Sequence, residues 1–409
     1  MATETIEVHG HIVDSLILAK VLDAILEAGA DYELVDVAIG KTGTDTSRAE
    51  IVVHADDQAL LDALLDDLQV HGANRVAQTE AVLVEADRDG VLPTGFHSTT
   101  NLDTEVLLGG RWHRVENPEM DCGLVVDDAD GAVRVRTAPM HRIRAGDRVV
   151  VGRDGVRVHP PAKRAGGGSF EFMASEVSSE KPKGLLIRHV ADRVRAARDD
   201  GGKVLLVAGP AAIHTGAGPD LARLVAGGWI QCLFTGNGFA THDLESNVLG
   251  TSLGVGVADG VPVEGGHANH VRVINELRRH GSIAAAVQAG YVTGGVMHAC
   301  VTAGVPFVLA GSVRDDGPLP DTTTDVVAAA DAMREHVPGV QVALMLATTL
   351  HAIATGNILP ASVETFCVDI NQAVVTKLAD RGSHQAVGIV TDIGVFVRAL
   401  AEDLCGPTA

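Results

Sequence analysis

Thr235-Gly-Asn-Gly-Phe-Ala-Thr-His-Asp-Leu-Glu245 directly follows the apolar run Trp229-Ile-Gln-Cys-Leu-Phe234. An apolar run that ends in Gly-Asn-Gly and then turns polar reads as a buried strand delivering a loop at its carboxyl end. Ligands of open α/β sheets bind along that edge. His242, Asp243 and Glu245 then place three ionisable groups within four positions. A Gly-rich turn followed by a helix N-cap accounts for the same spacing equally well, so the surrounding sequence decides.

From about residue 183 onward, strands and helices alternate. The strand candidates are Val204–Ala208, Ile230–Thr235, Val305–Ala310, Val340–Leu346, Thr365–Ile370 and Ala386–Thr391. They are short and continuously apolar, as strands buried on both faces must be. Helical stretches such as Ala268–His280, Thr324–Glu335 and Gln372–Ala379 separate them. This pattern predicts a doubly wound, Rossmann-like parallel sheet over 183–409.

Six strand ends carry small or polar residues. They are Gly209 to Gly218, Gly236-Asn-Gly238, Gly311 to Gly317, Ala347-Thr-Thr-Leu350, Val368-Asp-Ile-Asn371 and Thr391-Asp-Ile-Gly394. The first is no dinucleotide fingerprint, because Leu221 stands where the third glycine belongs. Hydroxyls at Thr348 and Thr349 suit a pyrophosphate or a ribose. Asp369 and Asp392 can each accept ribose hydroxyls, although an Asp at a strand end is more often a turn or cap residue. Six polar ends on one sheet edge together outline a long groove, and a dinucleotide is long.

The chain before residue 183 has a different rhythm. Residues 1–87 read as βαββαβ, the ferredoxin-like order: Ile6–Val13, Leu16–Leu26, Tyr32–Ile39, Ala49–His54, Gln58–Leu68 and Val76–Val84. Residues 88–160 lose helical periodicity. Val106-Leu-Leu, Gly123 to Val126, Ala132 to Arg136 and Arg148 to Val151, punctuated by glycine, predict a small antiparallel barrel or sandwich. Within it, Pro93-Thr-Gly-Phe-His-Ser-Thr-Thr-Asn101 reads as a solvated loop, with a lid over a polar substrate as the alternative. Residues 161–182, with Ala165-Gly-Gly-Gly-Ser169 and a Ser/Glu-rich stretch, read as a linker.

Composition narrows the class. The 409 residues carry a net charge of −21 with only 3% aromatics, and no stretch gathers Lys and Arg. Nucleic acid and anionic membrane are poor partners for such a surface. Five scattered cysteines form no Cys-x-x-Cys pair, and no apolar run approaches the roughly 18–20 residues of a membrane span. The N-terminus has neither a basic nor an apolar leader segment. A cytoplasmic, reduced protein is expected.

Two further features touch on chemistry. Glu264-Gly-Gly-His-Ala-Asn-His270 sets two imidazoles three apart. A third ligand at metal spacing is missing, so no metal is expected and acid/base or hydrogen-bonding roles fit better. Lys377 lies about one and a half turns into the helix after Asn371. A lone lysine is usually solvated. Facing the groove, it would have its pKa lowered by desolvation and cofactor charge and could transfer protons.

Several stretches together resemble the archaeal-type ornithine cyclodeaminases, the LOR/SDH-like proteins, and the C-terminal part of the cyanobacterial arginine dihydrolase/ornithine cyclodeaminases. They are Gly10-His-Ile-Val-Asp-Ser15, Gly95 to Asn101, Met120-Asp-Cys122, Phe172 to Pro182, Gly236 to Glu245 and Phe366 to Asn371. The resemblance covers nearly the whole chain; Gly238 and His97 depart from the family pattern, where Ala and Tyr are common. It implies a tightly held NAD used catalytically and conversion of L-ornithine to L-proline and ammonia. The cofactor contacts it implies are Asn237, Gly238, Asp316, Thr348, Thr349, Leu350, Asp369, Asp392 and Ile393. Asp243 and Glu245 would meet the substrate's amines, and Lys377 or His242 would shuttle protons. A homo-oligomer is also expected, since ferredoxin-like modules often build oligomers. A lysine- or saccharopine-type dehydrogenase and a nucleotide-sensing regulator are the competing readings.

Overall fold

Continuous apolar runs become the central strands of a parallel sheet, and alternating runs become two further sheets ahead of it. The computed structural model describes residues 1–409 except 14–15, 42–44, 70, 77–78, 129–130, 160–182, 257–260, 262, 264–265, 316, 381–385 and 408–409. The expected linker and the Phe172 to Pro182 stretch lie outside the described residues. The chain forms two compact units, Met1–Glu171 with Asn357–Ser362, and Phe172–Gly356 with Val363–Ala409.

In the first unit, β1 (Ala2–Gly10), α1 (Ile17–Glu27), β2 (Asp31–Ala38), β3 (Ser47–Ala55), α2 (Gln58–Gln69) and β4 (Ala73–Arg75) follow the expected βαββαβ order. The sheet order is β2-β3-β1-β4, with every pair antiparallel. Period-two burial along β3 sends Ala49, Ile51 and Val53 to one face, where Val21, Ile25, Leu61 and Leu68 of the helices cover them.

A second sheet has the order β11-β6-β7-β9-β8-β10-β5. Its strands are β5 (Val82–Glu85), β6 (Asp103–Leu108), β7 (Arg111–Glu116), β8 (Gly123–Asp127), β9 (Arg134–Ala138), β10 (Arg148–Val151) and β11 (Val156–His159). Two sequence expectations change here. The strand expected over Val76–Val84 lies elsewhere: the fourth strand of the module is β4, Ala73–Arg75, and Val82–Glu85 pairs with β10 in the second sheet. The second sheet is also not wholly antiparallel, since β7 and β9 run parallel. Pro93 to Asn101 is not a wholly solvated loop: Thr94, Gly95 and Ser98 are exposed, but every second residue from His97 turns inward. His97, Thr99 and Asn101 are buried, Thr99 Oγ1 donates to the Glu119 carbonyl (2.6 Å), and Asn101 Nδ2 donates to the Leu359 carbonyl (3.3 Å). Short polar side chains satisfy buried backbone there.

The second unit begins with α3 (Lys183–Asp199), β12 (Lys203–Ala208), α4 (Ala211–His214), α5 (Gly218–Ala226), β13 (Cys232–Gly236) and α6 (Asn237–Leu249). A two-strand hairpin, β14 (Thr251–Ser252) with β15 (Val255–Gly256), precedes α7 (Asn269–His280), α8 (Ile283–Gln288) and α9 (Gly295–Ala303). Then come β16 (Phe307–Ala310), β17 (Thr322–Thr323), α10 (Val326–His336), β18 (Val340–Leu346), α11 (Leu350–Ile358), β19 (Glu364–Asp369), α12 (Gln372–Asp380), β20 (Ala386–Val390) and α13 (Ile393–Cys405).

The strand order is β17-β16-β13-β12-β18-β19-β20, and every pair is parallel. Leaving out the short edge strand β17, this is the 3-2-1-4-5-6 order of a doubly wound nucleotide fold. Residues of α3, α5, α6, α7, α8, α9 and α13 close a core around Leu206, Leu233, Phe239, Leu344, Phe366 and Phe396, all essentially without exposure. Each such buried side chain stabilises the fold by about 1.5–3 kcal/mol. The chain reverses direction across the sheet between β12 and β18, which makes their carboxyl ends the switch point.

Candidate functional site

At the switch point two turns meet closely. Gly209 follows β12, and a Cβ added there would lie 2.1 Å from the Ala347 carbonyl oxygen after β18. Only glycine permits that approach. Ala347 itself holds φ of 49°, a strained value for a residue with a side chain. Thr348 and Thr349 follow it, half-buried, at the start of α11. Leu350 is 74% exposed, so a cofactor contact there would be with open surface or backbone.

The strand ends on the β19–β20 wing carry the two expected carboxylates. Asp369 ends β19 and accepts the Asn371 N–H (2.8 Å) on one oxygen. Asp392 caps α13 through the Val395 N–H (3.0 Å) and is otherwise exposed. Ile393, expected among the cofactor contacts, sends its side chain into the hydrophobic core instead, leaving only its backbone for such a contact. Asp316 lies outside the described residues.

On the β13 wing, α6 starts at Asn237 directly after the strand. Asn237 is buried, and its Oδ1 accepts from the Leu319 N–H (2.9 Å) and the Thr322 hydroxyl (3.2 Å). It therefore ties the turn after β13 to the loop before β17. Gly238 stands beside Pro210, with room for a Cβ at 3.9 Å.

The three ionisable groups of α6 separate by face. Asp243 points inward, fully buried. Its carboxylate accepts the Val296 and Met297 N–H groups (2.9 and 2.8 Å) at the start of α9. Burial pushes it up to about 6 against those two hydrogen bonds. The expectation that Asp243 meets a substrate amine is thereby corrected: its oxygens are spent on anchoring α9 to α6, where the helix dipole favours negative charge. Gly295 lets the anchor form, because a Cβ there would sit 2.7 Å from the Asp243 carboxylate.

His242 and Glu245 form the opposite face. His242 Nδ1 lies 3.1 Å from Glu245 Oε2. The other oxygen, Oε1, accepts from the Thr251 hydroxyl (2.8 Å) and the Gly254 N–H (3.2 Å), and Asn269 Nδ2 donates to Thr251 in turn (2.9 Å). Burial raises the Glu245 pKa, but the bonds from His242, Thr251 and Gly254 outweigh it and hold the carboxyl below its ordinary value. His214 packs edge-on to His242 with ring centroids 4.6 Å apart, and the His270 ring lies 6.4 Å from His242. The side chain of His267 lies outside the described residues. Among the described residues no three His, Cys, Asp or Glu groups are arranged to hold a metal.

Lys377 is not brought to this cluster. It is exposed in the last turn of α12, after β19. Three strand spacings separate β19 from β13, about 14 Å. Sequence reasoning missed His214 and His351. His351, in the first turn of α11, lies against Gly236: a Cβ there would be 2.7 Å from its Cε1. The run Thr348-Thr-Leu-His351 carried a signal, an imidazole one residue past the polar strand end.

Known proteins match this chain over its whole length. A family model described as the ArgZ-like arginine dihydrolase C-terminal Rossmann fold matches residues 188–400, and its companion first region matches 103–187. The LOR/SDH bifunctional enzyme conserved region matches 3–102. Five archaeal relatives, 44–51% identical, are named ornithine cyclodeaminase. The one from Methanothermobacter thermautotrophicus is 49% identical over 99% of this chain and 98% of its own. The chain belongs to the ornithine cyclodeaminase family of the ArgZ/AgrE type.

Solved structures of this cyclodeaminase family agree with the fold. Cyanobacterial ArgZ, without ligand, matches at 35% identity and a TM-score of 0.85, over 99% of this chain and 58% of the ArgZ chain. AgrE, a bifunctional protein of Nostoc sp., was solved as a ternary complex with ornithine and NAD+. It matches at 41% identity and a TM-score of 0.54, over 99% of this chain and 57% of its own. The chain thus spans little more than half of these bifunctional proteins. No helix among the described residues is long and apolar enough to cross a membrane.

Proposed function

We propose that this chain converts L-ornithine to L-proline and ammonia, using NAD+ as a hydride acceptor that returns the hydride within the same turnover. The observation that carries the reading is the division of labour along one sheet crest. Backbone-close turns and hydroxyls stand at the β12/β18 switch point, free carboxylate oxygens on the β19–β20 wing, and a buried imidazole–carboxylate pair beyond β13. The five cysteines are unpaired, which fits a reducing, cytoplasmic setting.

The residues fit a dinucleotide in a definite direction. In the common doubly wound mode the ribose acid ends the second strand, but here β13 ends in Thr235-Gly236 with no acid. Asp369 and Asp392 would therefore hold the adenosine ribose at the β19–β20 wing. Thr348, Thr349 and the start of α11 would hold the pyrophosphate. The nicotinamide would then fall over Gly209, Gly236 and Asn237. From β20 to β13 the crest runs about 19 Å.

The cofactor supplies hydride chemistry at the α-carbon. The chain supplies the rest. Glu245 fixes the His242 ring through Nδ1 and leaves Nε2 to exchange protons with the substrate, as orienting carboxylates do for catalytic imidazoles. The anionic Glu245 also gives the pocket a charge suited to a diamine. Once the α-carbon is an imine, the δ-amine attacks it, ammonia leaves, and the cyclic imine is reduced at the same carbon. Holding the substrate curled makes ring closure unimolecular, worth up to about 7 kcal/mol or more in favourable cases.

The test is to incubate the protein with ornithine and a catalytic amount of NAD+, following both proline and nicotinamide absorbance. Proline accumulating without NADH supports the reading. Stoichiometric NADH points instead to a lysine- or saccharopine-type dehydrogenase, and NAD+ binding with no amino-acid turnover to a sensor.

A further inference from the structure

His351 occupies a place that the family reading leaves without a role. It belongs to α11, which follows β18, yet its ring edge rests on Gly236 at the end of β13. The strand between them is β12, so the imidazole bridges the switch point across the end of β12. A Cβ at Gly236 would be 2.7 Å from Cε1 and 3.4 Å from Nε2. Gly236 has φ of −109°, a conformation any residue adopts, so its lack of a side chain serves the ring and not the backbone.

We infer that His351 is a second proton-transfer residue of the reaction, taking the proton from the substrate's α-ammonium before the hydride leaves. Two observations and the cofactor direction proposed above carry this. First, neither ring nitrogen has a hydrogen-bond partner among the described residues, although the ring is half-buried on the crest. Second, burial lowers its pKa, opposed by the charge of Asp315 in the loop after β16, which favours the neutral ring that a proton acceptor needs. Asp315 itself is occupied by the Ser312 N–H (2.7 Å). Third, the inference rests on the cofactor direction proposed above, which brings the nicotinamide over Gly236, directly beside this ring.

The chemistry requires such a base. An α-ammonium has no lone pair, so its hydride cannot depart. When His351 accepts one N–H proton, the nitrogen lone pair becomes free. The Cα–H bond then breaks with both electrons passing to the nicotinamide, and the lone pair forms the C=N bond. His242 remains to serve the later steps, in which ammonia leaves with a proton and the ring nitrogen gains one. His242 on α6 and His351 on α11 thus divide the proton inventory.

The full-length variants His351→Gln and His351→Ala test this, with Gly236→Ala as a variant that displaces the ring without removing it. Expected for both His351 variants is a fall in kcat of at least a hundredfold, with the KM for ornithine within threefold and NAD+ affinity by calorimetry within twofold. The acid limb of the kcat–pH profile disappears, and added imidazole partly restores His351→Ala. Gly236→Ala must lower kcat at least tenfold. Activity of the His351 variants within threefold of the parent overturns the inference, as does a loss explained wholly by weaker NAD+ binding. A parent protein that makes no proline defeats the proposed function instead. The inference is then judged by NMR: ornithine must shift the His351 Cε1–H resonance of the NAD+-loaded protein, and an unmoved resonance overturns it.

Discussion

Gly236 and His351 meet edge to backbone across the end of β12, although 115 positions separate them in the chain. The contact exists because α11 starts two strands away from β13 and leans over the switch point. Replacing Gly236 by Ala forces the imidazole into another rotamer, at a cost of about 0.5–1.5 kcal/mol. The melting temperature of Gly236→Ala is expected to fall by a few degrees at most, while proline formation falls far more. A large thermal shift with proportionate activity would mean that Gly236 serves folding alone.

Asp392 offers a cleaner probe of cofactor direction. Asn caps helices about as well as Asp, so Asp392→Asn should leave α13 intact. It loses the anionic acceptor for a ribose hydroxyl, a bond to a charged group worth about 1.5–3 kcal/mol. Calorimetry should show NAD+ binding weakened about tenfold to hundredfold, with nicotinamide mononucleotide unaffected. Equal weakening of both would reverse the proposed direction.

Asp243 and Glu245 should impose opposite pH dependences on stability. The folded Asp243 holds its proton up to about 6, above its ordinary 3.8, so the folded state binds more protons in that window. Its contribution to stability declines as pH rises from 3.8 to about 6, by about 3 kcal/mol in all. Glu245 is lowered from 4.5, so its contribution is present above 4.5 and is lost as pH falls through the folded value. Chemical denaturation between pH 4 and 6 should show Asp243→Asn steepening the rise of stability with pH. Glu245→Gln should flatten the rise below 4.5. Identical profiles for parent and variants would contradict both environments.

Lys377 is exposed and about three strand spacings from the β13 crest. Lys377→Ala should keep kcat within about twofold, measured as initial proline formation. A loss of a hundredfold would return proton transfer to this residue and displace His242.

Sequence reasoning found the parallel sheet because strands such as β12 and β18 are buried on both faces and read as unbroken apolar runs. It found the polar strand ends for the same reason, since polarity resumes where burial stops. It mistook Asp243 for a site group because three acids and bases on one helix look alike in sequence. Only the packing shows that Asp243 anchors α9 while Glu245, equally buried, is held by His242, Thr251 and Gly254. Ile393 failed similarly, its side chain being core while its neighbour Asp392 is surface. His351 escaped notice because its partner, Gly236, comes from another strand, and such a contact leaves no local pattern. The strand expected over Val76–Val84 lies elsewhere because pairing, not propensity, decides which sheet a short β-prone run joins.

In the proposed reaction one hydride leaves and re-enters the same carbon within a single turnover. Ornithine deuterated at C2, incubated with the protein, catalytic NAD+ and excess unlabelled NADH, tests it by mass spectrometry of the product. The account predicts proline carrying deuterium at C2 with no net change in NADH. Proline that has exchanged its deuterium for hydrogen, or NADH formed in step with product, would contradict it.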